Sequence, residues 1–224
     1  MKVVKVNGSK KRVLIVDDHP LLRVGVVKVI SQQPDLEVSG EADDVGTALE
    51  QVAKSKPDLA LVDLSLKAGS GLDLIKQLKA RYPSIKSLVF SARDESIFAE
   101  RALRAGALGY VHKQADAPTL IRAFRVVMQG KLYLSPTMTH HFLQRVVGAA
   151  DADHVVSIAD LTDRELEVYR QIGRGLSNRQ IAVNLHLSTK TIDSYRETIK
   201  IKLKLSSARV VARHAMQWVM ENSS

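Results

Sequence analysis

An α/β doubly wound, five-stranded parallel sheet followed by a small all-α domain is the fold class this sequence predicts. Three observations lead there. Between residues 12 and 134, short apolar runs alternate with amphipathic stretches. Residues 148–156 (GAADADHVV) are small, polar and without period, as an interdomain linker is. From Leu161 onward the apolar spacing is helical throughout.

The elements follow in order. Val13-Leu14-Ile15-Val16 reads as a buried strand, and Leu21 to Ile30 has helical spacing. Leu36 to Ser39 is a weaker strand, then Thr47 to Ala53 a helix. Leu59-Ala60-Leu61-Val62 is a second buried run, and Leu72, Leu74, Ile75 and Leu78 form a helical stripe. Ser87 to Phe90 and Leu108 to His112 are strands, each followed by a helix, Ile97 to Ala105 and Leu120 to Met128. Strands alternating with helices require a parallel sheet covered on both faces, and right-handed crossovers leave the doubly wound topology. Ser135-Pro136 is a cap with proline at the first helical position, opening one helix to about Val147. The expected organisation is a flexible basic arm at 1–10, a sheet domain at 11–134, a linker with one helix at 135–158, and a helical domain at 159–224.

Composition narrows the function. The chain has 224 residues and is 45% hydrophobic, enough for two cores. No run of about 18 apolar residues exists, so no membrane association is expected. The N-terminus lacks a long apolar segment and a small-residue cleavage site, which argues against a signal peptide. Cysteine is absent, which excludes disulfides and cysteine-ligated zinc and fits a cytoplasmic location. Of the net charge of +9, residues 1–12 carry +5 and residues 159–224 carry +4, whereas 13–134 carry only +1 and 135–158 carry −1. A basic C-terminal domain suggests a polyanionic partner, although a solvated basic surface would look the same by charge alone.

In an open parallel sheet, ligands bind beyond the carboxyl ends of the strands. There the first strand ends in Asp17-Asp18, the third in Asp63, the fourth in Ser91, and the fifth is followed by Lys113. Carboxylates so placed repel: a pair at about 4 Å costs on the order of 4 kcal/mol at an effective dielectric of 20. A bound cation removes that cost, and an all-oxygen set without cysteine favours Mg²⁺ over zinc. One carboxylate then remains to attack phosphorus, with Lys113 supplying charge and Ser91 a hydroxyl to the new phosphate oxygens. Mg²⁺ at acidic strand ends also suits a phosphohydrolase, but that enzyme needs a substrate cap or a separate acid/base, and Asp63 is followed by a short loop with no inserted cap.

Val16-Asp17-Asp18-His19-Pro20, Asp63-Leu64-Ser65-Leu66 with Gly71, Ser91-Ala92, and Ala105-Gly106-Ala107-Leu108-Gly109-Tyr110-Val111-His112-Lys113 resemble the receiver domain of two-component response regulators. The resemblance implies a flavodoxin-like fold. It implies that Asp63 is the phosphoacceptor, Asp18 a direct metal ligand, and Asp17 a ligand directly or through water. The Ser65 main-chain carbonyl would be a further ligand, and Ser91 and Tyr110 the pair that reorients on phosphorylation. Lys67 and Gln114 stand where the family often has proline.

In the last quarter, Thr162 with Glu165 is a capping box that opens a helix running to about Gly173. Ser177 can cap a short helix, Asn178 to Asn184; Ser188 or Thr189 caps a longer one to about Leu203; a last helix runs from about Ala208 to Met220. A short helix, a tight turn and a longer polar helix are the parts of a helix-turn-helix. Leu161-Thr162-x-Arg164-Glu165-x-Glu167-Val168, Gly175-x-Ser177-Asn178-Arg179-x-Ile181-Ala182 and Leu187-Ser188-x-x-Thr191-Ile192 resemble the LuxR-type output domain, so the whole chain resembles the NarL/FixJ class. Tyr195 and Thr198 stand where that family often has histidine and asparagine. Asp193, Ser194 and Glu197 are expected at base edges. Lys190, Arg196, Lys200, Ser177 and Arg179 are expected at phosphates, with Thr191 beside them at the start of the reading helix. Trp218 is read as core, with a dimer surface as its alternative, and the seven histidines as ordinary side chains.

The implied function is phosphotransfer from a sensor histidine kinase to Asp63, with Mg²⁺, controlling binding of double-stranded DNA and transcription, with pairing into a homodimer. The chain is expected not to be an enzyme, beyond slow self-dephosphorylation. The competing reading is a phosphorylation-independent adaptor whose receiver docks protein partners while the output domain binds DNA constitutively.

Overall fold

A computed structural model describes residues 10–146, 158–185 and 187–222. The expected basic arm up to Ser9, the aperiodic stretch 148–156 and His186 lie outside the described residues. The chain divides into two compact units between His141 and Phe142.

The first unit alternates β1 (Lys11–Val16), α1 (Pro20–Ser31), β2 (Leu36–Ala42), α2 (Val45–Ser55), β3 (Leu59–Val62), α3 (Gly71–Arg81), β4 (Lys86–Ser91), α4 (Glu95–Ala105), β5 (Gly109–His112) and α5 (Ala117–Met128). The strands form one parallel sheet in the order β2-β1-β3-β4-β5. This is the predicted doubly wound fold. All four β3 residues are buried, as a central strand covered on both faces requires. Val13, Ile15, Leu59, Leu61, Leu88 and Phe90 pack in one core with Leu120, Phe124 and Val127 of α5.

Local chemistry sets the helix boundaries. Pro20 opens α1 at a position where its missing N–H costs nothing. Asp44, Asp94 and Asp116 each accept a backbone N–H at the starts of α2, α4 and α5. Gly106 ends α4 with φ at 119°, a conformation that favours glycine. β2 runs past its expected end at Ser39, because Gly40, Glu41 and Ala42 continue the pairing with Leu14, Ile15 and Val16 after a register shift. Backbone pairing on an edge strand needs no apolar alternation. At the opposite edge Tyr133 covers β5: it accepts from the Tyr110 N–H at 3.0 Å and donates to Leu108 at 2.9 Å. Ser135 then caps α6 (Pro136–Val146), accepting from the Met138 N–H at 3.1 Å.

Beyond α6, the second unit has a 3₁₀ turn, Ile158–Asp160, then α7 (Asp163–Gly173), α8 (Asn178–Leu185), α9 (Thr189–Lys202) and α10 (Ala208–Asn222). Leu166, Tyr169, Ile172, Ile181, Ile192, Ile199, Val211, Ala215 and Trp218 are among its buried residues. The Trp218 ring lies 5.7 Å from that of Tyr169, which places it in the core, as expected. The capping box is formed in both directions: Thr162 Oγ1 accepts from the Glu165 N–H, and the Glu165 carboxylate accepts from the Thr162 N–H.

Glu165 also accepts from Lys202 Nζ at 2.7 Å, joining α7 to α9. Burial pushes this carboxyl up, but the Lys202 ammonium and the Thr162 hydrogen bonds outweigh it and hold it below the usual glutamate range. A lowered carboxyl contributes stability that is full above the ordinary value of 4.5 and is lost as pH falls through the folded value. Glu165→Gln is therefore expected to cost about 1.5–3 kcal/mol at neutral pH, the scale of a hydrogen bond to a charged group. Its stability should also fall less steeply than the wild type's below pH 4.5. Urea unfolding followed by the fluorescence of Trp218, the one tryptophan, measures both.

Candidate functional site

Parallel register builds the acidic site. β1 and β3 pair with Val16 opposite Val62, so the residues just beyond, Asp17 and Asp63, emerge side by side. The Asp63 N–H donates to Val16 at 2.8 Å and the Asp17 N–H to Ala42 at 3.0 Å, which fixes both backbones. β4 and β5 pair with Ser91 opposite His112, and the Lys113 N–H donates to Ser91 at 3.0 Å. The structure thus brings together Asp17, Asp18, Asp63, Ser91 and Lys113 from three different strand-end loops and the end of β4.

The contacts are direct. Asp63 is 2% exposed, and both of its carboxylate oxygens are engaged. Oδ1 accepts from Ser91 Oγ at 2.7 Å and Oδ2 from Lys113 Nζ at 2.8 Å. The same ammonium lies 2.8 Å from Asp17 Oδ2. One lysine therefore serves two buried carboxylates. Asp18 Oδ1 is buried without a hydrogen-bond partner. His19 Nδ1 lies 2.8 Å from it, but at ion-pair distance only, and makes its hydrogen bond to Asp17 Oδ1 at 2.9 Å.

Oxygens of Asp17, Asp18 and Asp63 and a ring nitrogen of His19 all lie within 4.8 Å of one another. Three carboxylates against one lysine, with an orphaned buried oxygen, fit a hard divalent cation. Ser65, two residues past Asp63, is half-buried, and its hydroxyl accepts from Arg93 Nε at 2.9 Å. Tyr110 is 1% exposed and donates its hydroxyl to the Arg93 carbonyl at 2.7 Å. Burial pushes its phenol up, with Asp63 and Glu95 adding to the effect and Ser91 and Arg93 opposing it.

His19 belongs to this cluster, contrary to its reading as an ordinary histidine. Pro20 fixes the start of α1, and the Asp17 carboxylate accepts the His19 N–H at 2.8 Å, which folds the loop back over the acids. Its place between Asp18 and Pro20 was the available signal. Arg23 is a further residue of the site that no sequence pattern marks: it donates to the Asp17 carbonyl at 2.6 Å and to Glu41 at 3.2 Å, holding the same loop from α1.

In the second unit, Ser177 caps α8 reciprocally with Gln180 and is exposed, as is Arg179. Ser188 is the cap of α9, bonded to the Thr191 N–H at 3.1 Å and to its hydroxyl at 2.8 Å. Lys190, Asp193, Ser194 and Glu197 are exposed on α9; Thr191, Arg196 and Lys200 are half-buried. Lys200 Nζ lies 2.6 Å from Glu197. Asn178 links the two helices: it donates to Asp193 and accepts from Arg196 at 3.1 Å. Asp193 and Arg196 are thus engaged in holding α9 against α8.

Residues 13–125 match the family model for the response regulator receiver domain, and residues 159–215 that for bacterial regulatory proteins of the luxR family. The chain belongs to the response regulators. It is similar to the transcriptional regulatory protein DegU of Brevibacillus brevis, 33% identical over 90% of this chain and 91% of the relative. It is also similar to the oxygen regulatory protein NreC of Staphylococcus epidermidis, 32% identical over 92% of this chain and 97% of the relative. Among solved structures, RcsB of Salmonella enterica serovar Typhimurium, bound to promoter rprA in the presence of phosphomimetic BeF3−, matches with a TM-score of 0.69 at 25% identity, over 93% of this chain and 99% of that one. The response regulator is of the NarL/FixJ class, with a receiver and a LuxR-type DNA-binding output domain for transcription regulation, and its named relatives are regulators rather than enzymes. Among the described residues, no helix is long and apolar enough to cross a membrane.

Gly71, the first residue of α3, sets the acid-bearing backbone of this response regulator. A Cβ there would stand 2.0 Å from the Asp63 carbonyl oxygen and 2.8 Å from Leu64 Cα. Gly71→Ala must therefore displace the backbone of Asp63 itself. The expected loss is about 1–3 kcal/mol, the scale of overpacking in a core. Thermal unfolding checks it, and a melting temperature equal to the wild type's would contradict this close approach.

Proposed function

We propose that this response regulator takes a phosphoryl group from a sensor histidine kinase onto Asp63 and, so modified, pairs and binds double-stranded DNA through α9. The carrying observation is the Asp63 carboxylate, buried between the Ser91 hydroxyl and the Lys113 ammonium and beside Asp17. We divide the chain into a basic arm (1–10), a receiver (11–134), a linker with one helix (135–158) and an output domain (159–224), and place its work in the cytoplasm with the chromosome.

In the transfer, an Asp63 oxygen joins phosphorus as the bond from phosphorus to the kinase's histidine nitrogen breaks, and that nitrogen keeps the electron pair. Asp17, Asp18, Asp63 and the Ser65 main-chain carbonyl would hold Mg²⁺, which supplies positive charge to phosphoryl oxygens when bound. Lys113 neutralises a phosphoryl oxygen on one side, and the Ser91 hydroxyl donates on the other. The move of Ser91 from carboxylate to phosphoryl, with Tyr110 buried against Arg93, is the switch. Phosphorylation biases two arrangements by the difference between its contacts in each, so activation is a population shift. Two copies then set their α9 helices in half-sites about one turn, or ~10 bp, apart. Asp193, Ser194 and Glu197 face base edges; Lys190, Thr191, Arg196, Lys200, Ser177 and Arg179 face the backbone. The similarity to RcsB, whose structure is described as bound to a promoter with a phosphomimetic, supports this reading.

The test treats the full chain with acetyl phosphate and Mg²⁺. One phosphate per chain is expected, absent in Asp63→Asn and in EDTA, with tighter promoter binding and dimerisation by the labelled form. Unchanged regulation in a folded Asp63→Asn variant would establish the adaptor instead. Lys200→Ala is expected to weaken binding to all sequences and to lower the dependence of log affinity on log salt by about one. A change confined to sequence preference would overturn its assignment to phosphate.

A further inference from the structure

Asn178 opens α8, and its side chain reaches across to α9. Its amide carbonyl accepts from Arg196 Nη1 at 3.1 Å, and its amide nitrogen donates to Asp193 Oδ1. Charge fixes which way the amide lies. Turned over, it would set its carbonyl against the carboxylate and its NH₂ against the guanidinium, and both hydrogen bonds would be lost. Burial pushes the Arg196 guanidinium down and the Asp193 charge opposes the shift, so the two charges are neighbours. Asp193 is exposed and lies in the first half of α9, the part of a reading helix that meets base edges. With Oδ1 held by the amide, Oδ2 is the oxygen left to accept from a ligand. Glu197, one turn on, differs: its carboxylate lies 2.6 Å from Lys200 Nζ.

An acid on a helix that faces DNA is repelled by the phosphates, so it weakens binding to any sequence that offers it no donor. A carboxylate can only accept. In the major groove guanine shows N7 and O6, and thymine shows O4 and a methyl group, so neither base offers a donor there. Adenine shows an amino group beside the N7 acceptor. Cytosine alone shows an amino group with no acceptor of its own.

We propose that Asn178 is a specificity-determining positioning residue: it fixes Asp193 so that each half-site must present a cytosine, whose N4 amino group donates to Oδ2. This rests on the reading that α9 enters the major groove. Asn178 itself touches no base. The same amide holds Arg196, assigned above to the phosphate backbone, so one side chain sets the spacing between a backbone contact and a base contact. The other three bases are refused because they set an acceptor against the carboxylate.

The test enriches duplexes with a randomised centre on the full chain, sequences them, and then measures affinity for four duplexes that differ at one base pair. The wild type is expected to enrich a C·G pair at one position of each half-site and to bind about tenfold more weakly with any other pair there. Asp193→Asn, which can both donate and accept, should move that position to adenine. Asn178→Asp keeps an acceptor for Arg196 but repels Asp193. Its preference for cytosine should largely disappear, with the other positions and the melting temperature near the wild type's. An unchanged preference in either variant overturns the proposal. Ser194→Ala separates the two readings. If it alters the enriched sequence while Asp193→Asn does not, α9 still reads the groove and only this inference falls. If none of the three variants alters it, α9 does not read bases and both fall.

Discussion

The structure depends on holding like charges together at the end of a sheet. Asp17 and Asp63 are neighbours because β1 and β3 pair with Val16 opposite Val62, a register that nothing in the two carboxylates favours. The apolar strands supply the binding energy for the register, and the register imposes the repulsion. Lys113, anchored at the end of β5, offsets part of it by reaching both acids at 2.8 Å. The remainder is a standing demand for positive charge, which the orphaned Asp18 oxygen makes visible. A buried carboxylate oxygen without a hydrogen bond has lost its water and gained nothing in exchange. A site that is locally unfavourable and globally enforced is primed to respond to an arriving cation or anion.

Much of this was legible in the sequence, and the reasons differ by residue. Leu59 to Val62 could be bounded correctly because a fully buried strand leaves an unbroken apolar run. The acids could be placed because strand ends in an open parallel sheet share one rim. β2 was cut short because its last residues are held by backbone pairing, which leaves no mark on side-chain polarity. The parts played by Arg23, Arg93 and Asn178 leave no mark in the sequence for a common reason: each acts through the direction of a polar side chain after folding. Spacing along the chain records which face of an element is apolar. It carries no record of where a guanidinium or an amide comes to rest.

The output unit uses the same economy of polar contacts at its surface. Asn178 accepts from Arg196 and donates to Asp193, so two residues of the reading helix hold its angle to α8. Preorganisation of this kind lowers the ordering cost of binding. In the proposed complex Asp193 and Arg196 would share or exchange existing partners with DNA, so their net contribution would be a difference. Lys190 and Arg179 are exposed, and the hydroxyl of the exposed Ser194 donates within α9, to the Lys190 carbonyl at 3.1 Å. Individual contact energies across α8 and α9 would therefore be unequal even where the residue types are alike.

Tyr110 is pinned at both ends. Its N–H reaches Tyr133, the segment that covers the β5 edge on the way to α6, and its hydroxyl reaches the Arg93 carbonyl. Ser135, two residues past Tyr133, donates its N–H to Glu95 at 3.2 Å, at the start of α4. The loop that carries Arg93 and the segment that opens α6 are thus bonded to each other and to the same tyrosine. A phosphoryl group on Asp63 that drew on Ser91 would act on this loop first, since Ser91 begins it. Any displacement there must either break the Tyr110 and Glu95 contacts or carry Tyr133 and Ser135 along. Packed interiors favour discrete alternatives over gradual deformation. On the proposed reading, the covering segment at the β5 edge is therefore where a change at the acids would become a change in the chain that leads out of the receiver.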